Sequence, residues 1–510
     1  MSNQFVIGID IGTSGCKTIL VNDQGHVIAA KTVEYPLFTP QQGWTEQNPE
    51  DWWQASVTGV MAVLATSGVS AHAVRCVGLS GQMHGMVPLD EQGNVLRPAI
   101  LWNDQRTSQQ CQMITEAAGG KEGLLSLTNN LMLTGYTGGK IIWLRDHEPS
   151  LYEKTKMILN PKDYIRYRLT GDYVTEVSDA SGTGLFDVKN RRWSEKLIRL
   201  LEIPIDMLPR CVESTEVTGT ISDQVSKFTG LVKGTPVVGG GGDAVIQTTG
   251  MGLIQQGILG LTIGTSGNAA MGFSGYQENR DGLLQVFCNN EPHLWHVMGV
   301  TLTAGGAFQW YKNHFCMDEM EKAAKTGKDV YAILDAQAEE SPAGSKNLLF
   351  LPYLNGERCP YPDPDAKATF VGLTLHHDKR DMTRSIMEGV TYSLRQVYQL
   401  MRLMDPKIAV SEIILSGGGS RSQIWRQICA DIFQSPVKTV YGSAEGGAYG
   451  AAMVAGVGCH IWKNLSEAAG LLQVETITEP NPMVKETYDH LFTVYDSLYH
   501  DLKRAFQQLS

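Results

Sequence analysis

The 510-residue chain has the composition of an ordinary globular protein, with 42% hydrophobic and 19% charged residues. Its net charge of −11 argues against a nucleic-acid-binding surface, which requires a basic patch. The nine cysteines include no Cys-x-x-Cys motif, which disfavours a zinc site or a disulfide framework. No signal-peptide pattern or long apolar run is present, so we expect a soluble cytoplasmic protein made of about two to four domains.

Residues 1–85 predict the order strand, turn, strand, strand, helix, strand. Phe5–Ile11 has the pattern of a short buried strand. A glycine-rich turn leads from it to a second strand at Thr18–Asn22, and a hairpin turn leads to a third at residues 26–33. Asn48 before Pro49 is a helix start, with an N-cap followed by proline at the first helical position. An apolar strand ending in glycine closes the unit.

The second half of the chain repeats this pattern. GILGLTIGTSGNAAMGFSG predicts strand, glycine turn and strand, EIILSGGGSRSQIWRQI predicts strand, turn and helix, and GGAYGAAMVAGVG predicts a closely packed helix. We therefore predict an α/β fold in which a mixed sheet with helices on its faces is built twice. The expected domains are 1–245 and 246–510, and the last helix, about 482–510, is a candidate to pack back on the first domain.

The five residues IGTSG occur in both halves, at 11–15 and at 263–267. A Gly-Thr-Ser-Gly turn directs backbone N–H groups and two hydroxyls into one small space, which suits an anion. Two such turns on facing domains could bind one polyphosphate from both sides, and the alternative is two unrelated tight turns. The chain contains no Walker-type phosphate loop, and the first turn does not have the dinucleotide-binding glycine spacing.

Two acids adjoin glycine-rich turns. Asp10 interrupts an apolar strand, where a carboxylate is costly unless it binds a cation such as Mg²⁺ or caps the turn itself, and Thr262 holds its place in the second copy. Asp243 follows a strand and four glycines. It could take the hydroxyl proton during phosphoryl transfer to an alcohol, and the alternative is that it is the N-cap of the following helix.

Polar residues that suit a neutral polyol occur in two further segments. GQMHG contains Met83 and His84, and LWNDQR contains Asn103, Asp104 and Arg106. An amide, a carboxylate and an imidazole could together hydrogen-bond several hydroxyls. A satisfied structural histidine is an equally good interpretation of His84. For Glu357 and Arg358 in YLNGER, a surface salt bridge is favoured over a loop near a nucleotide.

Two long patterns identify a resemblance across the whole chain. They are GYTGGKIIWLRDH at Gly135–His147 and ATFVGLTLHHDKRDMTRSIME at Ala368–Glu388. The chain resembles the FGGY family of carbohydrate kinases, which belongs to the actin, Hsp70 and hexokinase superfamily of duplicated ribonuclease-H-like domains. The segments GWTEQNPEDWW, GQMHG, PAILWND and LPYLNGER are most similar to the xylulokinase branch of that family.

The resemblance implies roles for individual residues. Asp243 matches the catalytic base, Asp10 the acid near magnesium and the phosphates, and Met83, His84 and Asp104 fall in sugar-site segments. Adenosine would lie on the second domain and the sugar on the first. The implied phosphate-loop and nucleotide-binding residues are Thr13, Ser14, Lys17, Gly264, Thr265, Gly305, Gln309, Gly418, Gly419 and Ser422.

The implied activity is ATP- and Mg²⁺-dependent phosphorylation of the terminal hydroxyl of a ketopentose, D-xylulose first, by a protein that could form a homodimer. One position departs from the family pattern, because Ala244 replaces the usual Asn or Gln after the catalytic acid. Losing an amide that bonds a substrate hydroxyl alters specificity. Ribulose, gluconate and glycerol therefore remain alternative substrates, and a non-catalytic nucleotide switch of the actin or Hsp70 type is a remote alternative.

Overall fold

The computed structural model describes residues 4–442 and 445–510. The first half of the chain contains one large mixed sheet with small two-stranded ribbons around it. Its strands are β1 (Phe5–Ile11), β2 (Gly15–Asn22), β3 (Val27–Glu34), β4 (Glu46–Gln47), β5 (Val74–Gly81), β6 (Val87–Leu89), β7 (Ala99–Ile100), β8 (Met157–Leu159), β9 (Val174–Glu176), β10 (Phe186–Asp187), β11 (Arg192–Trp193), β12 (Arg210–Val212), β13 (Val217–Thr220), β14 (Pro236–Val238) and β15 (Gly241–Gly242).

Helices cover the faces of this sheet and build the lobe beyond its carboxyl edge. They are α1 (Pro49–Ser67), α2 (Ser108–Ala117), α3 (Gly120–Thr128), α4 (Thr137–His147), α5 (Pro149–Lys154), α6 (Pro161–Thr170), α7 (Val177–Ser181), α8 (Glu195–Leu200), α9 (Asp223–Thr229) and α10 (Asp243–Gly250). The Asn48 side chain accepts a hydrogen bond from the Glu50 N–H at the start of α1, so the predicted N-cap is confirmed. The domain boundary predicted after residue 245 falls inside α10.

The second half has a large sheet of the same kind. Its strands are β16 (Ile258–Ile263), β17 (Gly267–Phe273), β18 (Gln285–Cys288), β19 (Trp295–Thr301), β20 (Leu349–Leu351), β21 (Thr369–Val371), β22 (Glu412–Ser416), β23 (Val437–Val440) and β24 (Val474–Thr478). Its helices are α11 (Gly305–Phe315), α12 (Met317–Thr326), α13 (Val330–Glu340), α14 (Lys379–Met404), α15 (Gln423–Phe433), α16 (Gly446–Gly458), α17 (Leu465–Ala469) and α18 (Lys485–Gln508).

Strand pairing shows the duplication directly. In the first sheet β1 pairs antiparallel with β2 and parallel with β5, and in the second β16 pairs antiparallel with β17 and parallel with β22. The strand orders are β13-β14-β5-β1-β2-β3 and β18-β19-β17-β16-β22-β23-β24. The two IGTSG segments therefore occupy the same place, at the turn that follows the central strand of each sheet. The expected duplicated α/β fold is confirmed.

The helix that returns to the first domain is α16 and not the last helix. α16 packs on β1, β5 and α10, and Tyr449 on it donates a hydrogen bond of 2.8 Å to the Gly25 carbonyl. The expectation for residues 482–510 is wrong, because α18 packs on α14 and α15 of the second half. Its Tyr488 and Tyr495 hydroxyls bond Glu388 and the Gly389 carbonyl of α14 at 2.8 and 3.1 Å.

Small residues explain why α16 packs on the sheet so closely. A Cβ placed on Gly78 of β5 would lie 2.0 Å from the Ala451 carbonyl oxygen of α16, so only glycine fits this position. Ala448, Ala451, Ala452 and Ala455 of α16 are all buried in the interface. Helix and strand backbones thus contact each other without intervening large side chains.

Among the described residues, no helix is both long and apolar enough to cross a membrane. The described cysteines are all free, and most of them are buried.

We expect Gly78→Ala to destabilise the protein by about 3 kcal/mol, because neither the helix nor the strand backbone can move away from the added methyl group. Gly275→Ala is the matched control, since nothing lies within 4 Å of its Cβ position, and it should stay within about 0.5 kcal/mol of the parent. Urea unfolding followed by circular dichroism would compare the two. Equal midpoints for both variants would contradict the close contact between α16 and β5.

Candidate active site

A cavity of about 720 Å³ opens between residues of the two halves, and Asp243 lies on its wall. We call it the Asp243 cavity. Apolar and aromatic side chains form much of its wall, with a few polar groups among them, as is usual for a small-molecule site. Its lining residues are Met83, His84, Trp102, Asn103, Gln105, Ser108, Cys111, Met132, Leu133, Thr134, Gly135, Tyr136, Asp243, Ala244, Gln285, Phe287, Met298, Val300 and Arg358.

His84 is a neutral hydrogen-bonding group in this wall. Its Nδ1 lies 2.6 Å from the Gly182 carbonyl oxygen, so Nδ1 carries the proton and donates it, which leaves Nε2 as an acceptor. Burial lowers the pKa of His84 to about 3, so the ring stays uncharged at neutral pH. The ring stacks on Tyr136 with centroids 4.5 Å apart. His84 therefore presents one fixed acceptor to a ligand hydroxyl.

Asp243 is the first residue of α10 and faces the cavity. One of its carboxylate oxygens, Oδ1, accepts hydrogen bonds from the backbone N–H groups of Ala244 at 2.7 Å and Met83 at 3.3 Å. Burial, and secondly the negative charge of Asp10, raise the pKa of Asp243 to about 7. The carboxylate is thus a proton acceptor whose pKa is close to neutral pH. The alternative that Asp243 is an N-cap is wrong, because Gly242 is the N-cap of α10 and no side chain caps this helix.

Asp10 lies next to the first IGTSG turn and near Asp243. Its Oδ1 accepts a hydrogen bond of 2.6 Å from the Ser80 hydroxyl on the parallel strand β5. Burial raises the pKa of Asp10, and the Ser80 hydrogen bond and the charge of Lys17 oppose this rise. In the second sheet Thr262 takes the same position and bonds Ser416 at 2.9 Å. Asp10 with Ser80 and Thr262 with Ser416 are thus equivalent pairs. Both contain a serine, and only the first contains a carboxylate.

Asn103 and its neighbour Asp104 have different surroundings. Asn103 lines the Asp243 cavity, and its buried Oδ1 has no hydrogen-bond partner among the described residues. Asp104 does not line the cavity. Its two oxygens accept hydrogen bonds from the Thr45 N–H and from the Arg106 guanidinium, at 2.6 to 2.9 Å. The structure thus does not bring Asp104 to the cavity wall, and its acceptors are already hydrogen-bonded, while its contact with a sugar stays a prediction.

The YLNGER segment does not form the expected surface salt bridge. Glu357 is buried, and its carboxylate accepts hydrogen bonds from the N–H groups of Leu302 and Arg358 at 2.8 and 2.7 Å. Burial raises the pKa of Glu357 to about 7. Arg358 is exposed and lines the Asp243 cavity, and its guanidinium makes no hydrogen bond or ion pair within residues 4–442 and 445–510. The fixed Glu357 thus holds the base of a loop whose arginine faces the cavity from the second half.

Several cavity residues carried no recognisable signal in the sequence. Gln285 and Phe287 of β18 come from the second half, and the Gln285 amide donates a 2.8 Å hydrogen bond to the Tyr136 hydroxyl. Tyr136 lies inside the long GYTGGKIIWLRDH pattern, which was the only pointer toward it. Trp102 is adjacent to the Asn103 segment, and its indole N–H donates to the Thr13 hydroxyl at 3.0 Å.

A second cavity, of about 510 Å³, lies on the second half beside the repeated turn at 263–267. Glycine backbone, aromatic rings and the acids Asp329 and Asp335 line it. The structure brings together here all seven second-half residues expected at a nucleotide site, which are Gly264, Thr265, Gly305, Gln309, Gly418, Gly419 and Ser422.

The first repeated turn contains Thr13 and Ser14, with Lys17 just beyond it on β2. Lys17 lies 3.1 Å from Glu445, which precedes α16. Backbone hydrogen bonds close both copies, from Gly12 N–H to the Gly15 carbonyl and from Gly264 N–H to the Ser266 carbonyl. Thr13 connects the turn to the Asp243 cavity through Trp102. The turn and the cavity are therefore contiguous.

Comparisons with known proteins agree with this arrangement. The models of the N-terminal and C-terminal domains of the FGGY family of carbohydrate kinases match residues 5–250 and 259–459. The chain belongs to the FGGY family of carbohydrate kinases. It is an ATP-dependent sugar kinase, built from two duplicated domains of the actin-like ATPase fold.

The similar proteins include kinases named for two different substrates. The chain is 37% identical to a xylulose kinase of Bacillus subtilis strain 168, over 98% of this chain and 97% of that protein. It is 33% identical to a gluconokinase of the same strain, over 85% and 83%. A ligand-bound xylulose kinase structure from Lactobacillus acidophilus superposes with a TM-score of 0.90 at 26% identity, covering 99% of this chain and 100% of that one.

The neighbours Asn103 and Asp104 should respond differently to substitution. Asn103→Ala should raise the KM for the sugar with little change in stability, because it removes a cavity group with no protein partner. Asp104→Asn should lower stability by about 2 kcal/mol, because it weakens charged hydrogen bonds to Arg106 and the Thr45 N–H. Thermal unfolding and steady-state kinetics on both variants would check this. A stable Asp104→Asn variant with a raised sugar KM would restore Asp104 as a contact residue.

Proposed function

We propose that this FGGY kinase transfers the γ-phosphoryl group of ATP to the terminal O5 hydroxyl of D-xylulose. The observation that carries the proposal is the Asp243 cavity, where a near-neutral carboxylate shares a wall with the neutral acceptor His84 and the unpartnered amide of Asn103. Such a set of groups suits an uncharged polyol. The similarity to xylulose kinases over nearly the full chain supports the ketopentose.

Asp243 would act as the general base. As the bond from O5 to the γ-phosphorus forms and the bond from that phosphorus to the β–γ bridging oxygen breaks, the O5 proton moves to the Asp243 carboxylate. The two backbone N–H groups that hold Oδ1 keep the carboxylate in place. Proton transfer by a positioned group contributes about 10²–10⁴-fold to such reactions, and positioning and charge neutralisation supply most of the rest.

The phosphates would lie between the two repeated turns. Thr13, Ser14 and Lys17 would contact them from the first half, and Gly264 and Thr265 from the second. The adenosine would occupy the cavity beside Gly264, whose wall combines glycine backbone with Phe308, Tyr331 and Trp425. Backbone N–H groups at such turns favour anions, and aromatic rings provide apolar contact for a base.

Magnesium fits the residues at the cleft. Mg²⁺ binds proteins through one or two carboxylates and substrate phosphates while keeping several waters. The described residues contain no cluster of three or more metal-ligating side chains, which agrees with such a site. Asp10 would hold the ion, because burial raises its pKa in spite of the Ser80 hydrogen bond and the charge of Lys17, so a cation would further stabilise its carboxylate. When bound, the ion would neutralise charge on the phosphates.

Asp243→Asn should lower kcat by about 10²–10⁴-fold without unfolding the protein. In the parent, kcat/KM should rise with pH through about 7, because burial and Asp10 raise the pKa of the base and only its deprotonated form accepts the proton. Asp223→Asn, at an exposed helix start, should change neither quantity. Near-parental turnover of Asp243→Asn at saturating sugar and MgATP would remove Asp243 as the base.

A sugar acid is the second candidate substrate. The exposed Arg358 guanidinium lines the Asp243 cavity without a carboxylate partner among the described residues, and Ala244 provides no amide there for a neutral hydroxyl. An arginine fork is well suited to a substrate carboxylate. The similarity to a gluconokinase is in keeping with this candidate.

A panel of D-xylulose, ribulose, gluconate and glycerol with coupled ADP detection separates these substrates. We expect D-xylulose to have the highest kcat/KM, and Ala244→Asn to raise it by supplying an amide beside the substrate. Arg358→Gln should lower kcat/KM about tenfold or more for gluconate and much less for D-xylulose, since only gluconate loses a charged hydrogen bond. A higher kcat/KM for gluconate would replace the proposed substrate. ATP binding with no phosphorylated product from any sugar would favour a nucleotide switch.

A further inference from the structure

Lys140 on α4 is a fully buried lysine whose hydrogen bonds go to backbone carbonyls. Its Nζ donates to the His84 carbonyl oxygen at 2.7 Å and to the Gly135 carbonyl oxygen at 2.6 Å. No carboxylate lies within salt-bridge distance of it in the described part of the chain, whereas the other fully buried lysine, Lys162, contacts three carboxylates. A buried lysine without a counter-ion is rare and costly.

The burial of Lys140 has a measurable electrostatic consequence. Burial lowers the pKa of Lys140 to about 7, and the charges of Asp104 and Arg106 act on this pKa in opposite directions. Because no carboxylate lies within salt-bridge distance among the described residues, the charge of Lys140 gains no ion-pair energy at this position. Both its charged and its neutral forms keep enough N–H groups to bond the two carbonyls. The position therefore requires a donor for two carbonyls more than it requires a charge.

The two carbonyls belong to two different walls of the Asp243 cavity. His84 and Gly135 both line the cavity, His84 at the end of the β5 segment and Gly135 at the turn before α4. The backbone of His84 has φ of 71°, a left-handed conformation that costs a non-glycine residue energy and needs support from its surroundings. Thr137 supplies a second donor, since its hydroxyl bonds the same His84 carbonyl at 3.0 Å.

We propose that Lys140 and Thr137 act as a clamp that positions the His84 imidazole and the Gly135–Tyr136 wall for sugar binding. Lys140 is thus a positioning residue that acts through His84, and it does not touch the substrate. The inference rests on the proposed function only in taking the Asp243 cavity as the sugar site. It holds for a ketopentose and for a sugar acid alike.

The clamp affects the sugar side of the reaction selectively. Neither Lys140 nor Thr137 lines the cavity beside Gly264, where the nucleotide would bind. Releasing the His84 carbonyl would let the ring and its Nε2 acceptor shift, and a misplacement of about 1 Å in such a group costs up to about 100-fold. We therefore expect changes in the KM for the sugar without changes in the KM for ATP.

The test uses Lys140→Met, which keeps a long unbranched side chain but removes the hydrogen-bond donor. It also uses the matched pair Thr137→Val and Thr137→Ser. Lys140→Met should raise the sugar KM about tenfold or more and Thr137→Val about threefold, whereas Thr137→Ser, which keeps the hydroxyl, should stay near the parent. The KM for ATP should change less than twofold in all three. The double variant should show less than the product of the single effects, because both donors act on one carbonyl.

An unchanged sugar KM in a folded Lys140→Met variant would overturn the proposal, and so would a parallel rise in both KM values. If Lys140→Met does not fold, the Thr137 pair decides: equal sugar KM values for Val and Ser would overturn it. The assay uses the sugar that the parent phosphorylates best. A parent that phosphorylates none of the panel would contradict the proposed function itself, and thermal shifts with each sugar on the same variants would then test the clamp separately.

Discussion

The close contact of α16 with the first sheet is the constraint on which the rest of the structure depends. This helix comes from the end of the second half, yet it packs on β1, β5 and α10 of the first. A Cβ on its Gly447 would lie 2.3 Å from the Ser80 hydroxyl and 2.8 Å from Asp10 Oδ1. The same helix therefore contacts the strand that carries Asp10 and the helix that begins at Asp243. Backbone contact at this distance leaves little freedom to the relative position of the two acids.

The electrostatics of the cleft follow from that placement. Asp10 and Asp243 are buried near each other, and burial together with the charge of Asp10 brings the pKa of Asp243 to about 7. Burial has the opposite effect on the pKa of His84, which it lowers. The imidazole is therefore uncharged and keeps one nitrogen as a hydrogen-bond acceptor. One low-dielectric environment thus produces a proton acceptor and a neutral polar wall. Both are what phosphoryl transfer to an uncharged polyol requires.

The two halves show how a duplicated unit acquires one active centre. Asp10 with Ser80 and Thr262 with Ser416 are equivalent pairs, each joining a central strand to its parallel neighbour. In the proposed mechanism a carboxylate is useful in only one of them, because a second one beside Gly264 would repel the phosphates. The hydroxyl of Thr262 keeps the hydrogen bond without the charge. Duplication therefore preserved the turn, and the change of one residue separated the roles of the two copies.

Local patterns in the sequence were sufficient for the fold class and for much of the site. The repeated IGTSG, the strands around it and the Asn48 cap depend on neighbours close along the chain, and the structure contains them. The family resemblance also indicated seven residues that together line the cavity beside Gly264. Residues joined by long-range contacts were not accessible in this way. A surface salt bridge was expected for Glu357 and Arg358 and a sugar contact for Asp104, because no local pattern shows which pairs of charged groups meet after folding.

The sequence by itself determined the duplicated α/β architecture, the two repeated IGTSG turns and the family, since each of these depends on contiguous residues. Only the tertiary structure decided that α16 returns to the first sheet while α18 stays on the second half, that Arg106 occupies the oxygens of Asp104, and that Lys140 joins two cavity walls. The physical reason is that packing and buried hydrogen bonds depend on distances between residues far apart in the chain. Hydrophobic periodicity and turn chemistry carry no information about those distances.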